Sequence, residues 1–181
     1  MLSGFPCVIW LTGLSGAGKT TIAQSLYKRM QDEQIPSELL DGDQIRQIFP
    51  TTGFSHAERD MHIRRMGFLA SRLEAHGVTV IASLISPYRD SRRFVRGLCK
   101  NFVEVYISTP LNVCEKRDPK GLYAKYRRGE LKGFTGLDDP YEAPIEPQIE
   151  INTTDISVAD SVQKILDFIQ HVSQEGTYHE L

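Results

Sequence analysis

Apolar residues along this chain switch between two rhythms, short unbroken runs and longer stretches with one apolar residue every three or four positions. Cys7-Val8-Ile9-Trp10-Leu11 is an unbroken run of the kind that a parallel strand covered on both faces requires. Ile22, Ala23, Leu26 and Met30 then recur at helical spacing. Pro36 opens a short apolar segment, Leu39-Leu40, which ends in Asp41-Gly42-Asp43. Ser55-His56-Ala57-Glu58 has the S-x-x-E form in which serine and glutamate satisfy each other's backbone N–H groups, and it predicts a helix start. Behind it, Ile63, Met66, Ala70 and Leu73 mark the apolar face and Gly77 the stop. Val78 to Leu84 is nearly all apolar and predicts a central strand. Pro87 opens a helix that ends near Lys100, Phe102 to Ile107 predicts another strand, and Thr109-Pro110 another helix start. From Arg117 to about Tyr141 the rhythm fails, with Gly121, Gly129, Gly133 and Gly136 punctuating polar, basic residues. A short strand at Ile149 to Ile151 and a helix with Val158, Val162, Ile165, Leu166 and Ile169 on one face close the pattern. Residues 1–6 read as a lead-in, and the polar residues 173–181 are expected to fray.

This alternation predicts an α/β fold, a mainly parallel sheet flanked by helices with right-handed crossovers. Ligands of such sheets lie beyond the carboxyl ends of the strands, so the loops at 13–20, 41–43, 84–89 and 108–136 are expected to converge. A length of 181 residues fits one domain, 1–181, with a core of its own. The net charge of −2 supplies no global field for nucleic acid or an anionic membrane, so neither is expected as a partner. Cys7, Cys99 and Cys114 are odd in number and far apart, which suits reduced packing residues of a cytoplasmic protein and argues against a metal site. The first apolar run lacks a basic segment before it and is too short to span a bilayer.

Between the first predicted strand and helix lies Gly13-Leu14-Ser15-Gly16-Ala17-Gly18-Lys19-Thr20, which fits the phosphate-binding loop G-x-x-x-x-G-K-[ST] in the required context. Its glycines let backbone N–H groups turn inward at a helix N-terminus, where the dipole favours an anion. These residues, with Thr21 behind them, form the candidate ATP site. Lys19 is placed to reach the β- and γ-phosphates and the Thr20 hydroxyl to ligate Mg²⁺. The central run ends in Ile85-Ser86-Pro87 with no acid; the carboxylates stand at Asp41 and Asp43 instead. Asp43 is the candidate base or orienting group for an acceptor hydroxyl, and Asp41 a candidate for holding Mg²⁺ through water. A plain turn in which Asp43 caps a helix starting near Gln44 is the structural alternative, and both roles are compatible. Lys116 to Lys132 carries seven basic residues against Asp118 and Glu130, which predicts a lid over polyphosphate, about 117–141, in preference to a solvated basic face. Arg46, Arg59, Arg64 and Arg65 form a second basic group near the acidic turn, although adjacent Arg64 and Arg65 cannot share a helix face. A kinase for another small acceptor and a nucleotide-binding module without turnover remain as rival readings; the acceptor-side Asp43 speaks against the second.

From Trp10 to about Thr153 the chain resembles the adenylylsulfate kinase family. The resemblance rests on Trp10-Leu11-Thr12 running into the loop above, Leu40-Asp41-Gly42-Asp43, Gly53-Phe54-Ser55, Ile63-Arg64-Arg65 and Ile85-Ser86-Pro87-Tyr88-Arg89. Its most specific parts are Arg117-Asp118-Pro119-Lys120-Gly121-Leu122-Tyr123 and Gly133-Phe134-Thr135-Gly136-Leu137-Asp138. It implies transfer of the ATP γ-phosphate to the ribose 3′-hydroxyl of adenosine 5′-phosphosulfate (APS), with Mg²⁺, by a homodimer. By position it makes Asp43 the group facing that hydroxyl and gives the acceptor's anionic group to Arg46 and Arg59. Phe54 and Phe134 would sandwich the acceptor adenine, with Gly133 beside them, and stacking is expected of Phe134 in preference to burial. Ile85 and Ser86 would line the acceptor pocket, Lys120 would reach in from the lid, and Arg117 would lie near the ATP base. The family also suggests a phosphoserine at Ser86, although in-line transfer needs only positioning and electrostatics. The chain departs from the family at His62, where the family has Asn; a neutral imidazole still offers one donor and one acceptor to the acceptor nucleotide.

Overall fold

The parallel sheet grows out of the apolar runs. In this computed structural model, which describes residues 5–49 and 53–175, strands β1 (Val8–Thr12), β2 (Ser37–Asp41), β3 (Thr79–Ser83), β4 (Phe102–Ile107) and β5 (Ile149–Ile151) pair in the order β2-β3-β1-β4-β5. All neighbours are parallel, with Trp10 beside Ala82 and Glu104, and Asp41 beside Ser83. Every residue of β1 and β3 is buried, as expected of inner strands covered on both faces. The edge strand β2 buries only Leu40, which is why its signal was a mere Leu-Leu pair.

The two-residue period of β1 divides its side chains between two cores. Ile9 and Leu11 face α1 (Lys19–Asp32) and α7 (Val158–Glu175), packing with Ile22, Leu26, Met30 and Ile165. Val8 and Trp10 face α3 (His56–Ala75) and α4 (Arg89–Leu98), packing with Ile63, Met66, Ala70 and Val95. Gly67 lets α3 and α4 approach closely, since a Cβ there would lie 2.4 Å from a Val95 methyl. The Ser55–Glu58 capping box forms as predicted, and Gly77 follows the helix at a φ of 84°.

Three expectations are corrected. Helix α2 (Gly42–Ile48) starts two residues before Gln44, and its cap is Asp41, whose Oδ1 accepts from the backbone N–H groups of Asp43 and Gln44 at 2.9 and 3.2 Å. The 117–141 stretch follows α5 (Leu111–Arg117) and is not wholly irregular. It holds α6 (Leu122–Arg127), whose first N–H groups are met by the Asp118 carboxylate, 3.1 Å from Tyr123 N and 2.9 Å from Ala124 N. Finally, α7 runs three residues past Val172 to Glu175; the rest of the predicted tail, 176–181, and residues 1–4 of the lead-in lie outside the described residues. No helix among the described residues is long and apolar enough to cross a membrane.

Candidate active site

Because all strands run the same way, the loops after β1 to β4 open on one edge of the sheet. The phosphate loop is wedged there by its glycines. Gly13 has a φ of 150° and a Cβ on it would stand 2.5 Å from the Ile107 carbonyl oxygen; one on Gly16, at φ 75°, would stand 2.9 Å from that of Cys114. The outward carbonyls are pinned from behind. The Tyr123 hydroxyl donates to the Ser15 carbonyl at 3.0 Å. The hydroxyls of Thr109 and Thr153 lie 3.0 and 2.9 Å from the Ala17 carbonyl oxygen and 2.7 Å from one another. Arg117 donates to the Thr153 hydroxyl at 2.7 Å and to its carbonyl at 2.9 Å, leaving an exposed guanidinium beside the loop. Sequence reasoning missed Thr109 and Thr153, and it used Tyr123 only as part of a motif.

Lys19 is buried, and its ammonium donates to the carbonyls of Gly13 at 2.9 Å and Leu14 at 2.8 Å. Burial is the largest influence on it and pushes its pKa down to about 8; the charges of Lys120, Asp43 and Asp41 also act on it. Thr20 Oγ1 stands 3.5 Å from Ser83 Oγ, and Ser83 is the register partner of Asp41. Thr20, Ser83 and Asp41 therefore bring two hydroxyls and a carboxylate to the ends of β2 and β3. These hard oxygen donors fit a Mg²⁺ ion that takes most of its ligands from phosphate and water.

Asp41 caps the helix through Oδ1, and Asp43 on the first turn of α2 is left out of the cap, its side chain 68% exposed and ion-paired with Lys120. The Asp43–Lys120 pair joins the acidic turn to the 117–141 segment. Arg46 donates to the Gly53 carbonyl at 2.6 Å and lies 4.7 Å over the exposed Phe54 ring. Arg59 is engaged within the protein itself. It is buried, and its guanidinium donates to the carbonyls of Phe54 and Gly133 and to the Thr135 hydroxyl, with Asp139 at 3.4 Å. It latches the Gly133–Thr135 turn onto α3. Asp138 stiffens the same turn by accepting from the N–H groups of Gly133 and Phe134, which hold its carboxyl below the usual range.

Phe134 is buried at 6% exposure, edge-on to Tyr123 with ring centroids 4.8 Å apart. The expectation that stacking would prevail over burial does not hold here, because Tyr123 and Tyr126 give the ring an apolar seat that a glycine loop does not advertise. Ser86 is also turned inward: it is 2% exposed and its Oγ accepts from Trp10 Nε1 at 2.9 Å. Its hydroxyl is thus not presented as a phosphoryl acceptor. Ile85 offers its carbonyl to the Thr12 hydroxyl at 2.7 Å.

His62 is 3% exposed, with Nε2 3.1 Å from the Gly42 carbonyl oxygen, while Nδ1 is buried with no hydrogen-bond partner. It lies behind the turn that carries Asp43, not in an open pocket wall. Burial, then the charge of Arg46, pushes its pKa down to about 4, so at neutral pH Nε2–H donates and Nδ1 carries the lone pair. As pH falls from about 6.5 the unfolded chain takes up this proton first, so stability drains away down to pH 4. His62→Asn should abolish this contribution, about 3 kcal/mol at most at one pKa unit per 1.4 kcal/mol. Thermal melts from pH 7 to 4.5 should show the variant losing less Tm than the unaltered protein; parallel slopes would refute it.

A phosphate loop on β1, carboxylates at the end of β2 and a basic segment reaching across to them define a P-loop kinase. A family model described as adenylylsulphate kinase matches residues 5–152, and the chain belongs to that family. The adenylyl-sulfate kinase of Rippkaea orientalis is 54% identical over 158 residues, 87% of this chain and 87% of that one. Among solved structures, the Mycobacterium tuberculosis APS kinase CysC in complex with AMPPNP and APS superposes with a TM-score of 0.88 at 37% identity, covering 91% of this chain and 98% of that one. A hexameric APS kinase from Thiobacillus denitrificans gives a TM-score of 0.71 at 32% identity, covering 94% of this chain and 30% of that one.

Proposed function

We infer that this chain transfers the γ-phosphoryl group of ATP to the ribose 3′-hydroxyl of APS, giving 3′-phosphoadenosine 5′-phosphosulfate and ADP in sulfate activation. The observation that carries this reading is the exposed Asp43 carboxylate, paired with Lys120 and close enough to Lys19 for its charge to be felt there. A donor-side lysine and an acceptor-side carboxylate so placed suit in-line transfer, where positioning and charge stabilisation supply most of the catalysis.

In this reading residues 13–21 hold the ATP phosphates and Arg117 the base. Lys19 exchanges the carbonyls of Gly13 and Leu14 for phosphate oxygens as ATP enters. Thr20, and Asp41 through water, would hold Mg²⁺, which would supply positive charge to offset that of the ATP phosphates. Asp43 accepts the hydroxyl proton once the incoming acceptor parts it from Lys120, and Lys120 turns to the acceptor's anionic groups. Phe54 stacks on the acceptor adenine and Arg46 supports it. Ile85 and Ser86 line the pocket through their backbone, His62 holds the Gly42 turn from behind, and Arg59 latches the Gly133–Phe134 wall. The 117–141 segment acts as the lid of one kinase domain. Exposed Met61, Phe68 and Leu69 on α3 with Phe94 and Leu98 on α4 support a homodimer through that face, to be read by sedimentation equilibrium. Three free cysteines, two of them buried, suit the cytoplasm, which fractionation of the source cells would test.

The decisive assay couples ADP release to a reporter with ATP, Mg²⁺ and a panel of acceptors. APS should be preferred over other nucleotides and sugars by orders of magnitude; equal turnover with another acceptor would overturn the assignment.

A further inference from the structure

Arg92 lies on α4, outside every motif above, yet it is only 3% exposed and its guanidinium reaches three separate segments. Nε donates to Glu104 Oε1 on β4 at 2.7 Å, Nη1 to the Ser86 carbonyl at 2.6 Å, and Nη2 to the Glu142 carbonyl at 2.6 Å. A buried ion pair is a poor way to gain stability, because desolvating both charges offsets much of their attraction. The planar fork is suited to fixing three acceptors in set directions.

What it fixes is a strained residue. Ser86 has a φ of 38°, in the left-handed region that a Cβ disfavours. Three other bonds help to keep it there: Trp10 Nε1 donates to its hydroxyl at 2.9 Å, and the Thr12 hydroxyl lies 2.7 Å from the Ile85 carbonyl oxygen and 3.4 Å from that of Ser86. The third acceptor of Arg92, Glu142, is tied to the same loop. Its N–H donates to the Pro87 carbonyl at 2.8 Å, and its carboxylate accepts from Arg89 N at 2.7 Å. The preceding Tyr141 hydroxyl is 3.0 Å from that of Thr12.

We propose that Arg92 is a positioning residue, which holds Ser86 in its left-handed conformation and locks the Ile85–Ser86 acceptor loop to Glu142, the residue that directly follows the 117–141 segment. The acceptor pocket wall and the anchor of that segment then move as one body. The kinetic part rests on the APS-kinase reading; the structural part does not.

Arg92→Lys keeps a charge opposite Glu104 and loses the fork. In hydrogen exchange read by mass spectrometry, peptides covering 84–89 and 139–145 should both exchange faster in this variant, with β1 and β3 unchanged. Adding Ser86→Gly, whose backbone tolerates that φ unaided, should return the 84–89 peptide to the protection it has in Ser86→Gly alone. In kinetics, Arg92→Lys should raise KM for APS about tenfold, the weight of one charge-assisted hydrogen bond, and KM for ATP less than about twofold. In the Ser86→Gly background the same substitution should raise KM for APS no more than about twofold. Equal rises in both backgrounds, or exchange gained at only one of the two peptides, would overturn the proposal. If Arg92→Lys does not fold, Thr12→Val removes the hydroxyl that bridges Ile85 and Tyr141 and must produce the same paired loss of protection. An unaltered protein that ignores APS would sink the functional reading and leave the exchange test standing.

Discussion

Asp43→Asn should cut kcat by at least about a hundredfold while ATP affinity stays within about twofold, the range expected when a general base alone is removed. The fold gives this substitution little to damage. The cap of α2 belongs to Asp41, and the Asp43 side chain is mostly exposed, so its loss should change stability by no more than about 0.5 kcal/mol. What it removes is a negative charge beside Lys120 and an acceptor for the hydroxyl proton. Asparagine still fills the space and still accepts a hydrogen bond, but it cannot take the proton. Coupled ADP release under saturating ATP and APS reads kcat, and calorimetric titration reads ATP binding. If ATP affinity collapsed together with kcat, Asp43 would belong to the electrostatics of the donor site. Unchanged turnover would remove it from the chemistry altogether.

The elements that could be read from the sequence are those whose burial repeats along the chain. Ile9 and Leu11 alternate with Val8 and Trp10 because two helical layers cover the sheet, and Ile22, Leu26 and Met30 return at the helical period because one face of α1 is covered. Local hydrogen-bonding chemistry was equally legible: Ser55 and Glu58 need only each other. Asp41-Gly42-Asp43 was harder, because two aspartates stand in capping position and the choice is tertiary. Gly42 is pressed against Leu84 just after β3, where a Cβ would lie 2.9 Å from a methyl, and the helix starts there with Asp41 as the cap. Helix α6 is six residues long, too short to display a period, and its hold comes from Asp118 before it and the Ser15 carbonyl reached by Tyr123. The Arg59 latch closes over separations of 74 and 76 residues and leaves no local trace. Family resemblance proposes residues for the acceptor side, but it does not reveal that Phe134, Arg59 and His62 are buried here.

Lys19→Met should lower kcat by about a hundredfold to a thousandfold, as loss of one preorganised donor to developing charge does elsewhere. It should also weaken ATP binding, and the pH dependence identifies the cause. Methionine keeps the aliphatic stem in its buried channel but leaves the carbonyls of Gly13 and Leu14 without their shared donor. With a folded pKa of about 8 against an ordinary 10.5, the free protein gives up this proton where the unfolded chain keeps it. From pH 8 to 10.5 the unfolded chain therefore binds more protons, and the burial penalty on Lys19 fades as pH rises. ATP works in the opposite direction. Its phosphates favour the charged ammonium, so binding above pH 8 must draw in a proton, and affinity should fall by up to about tenfold per pH unit there. Titrations between pH 7 and 9.5 should show this slope in the unaltered protein and none in Lys19→Met. A flat profile in both would mean that Lys19 carries the same charge in the free and the ATP-bound protein across this range, and the proton uptake assigned to ATP binding would fall.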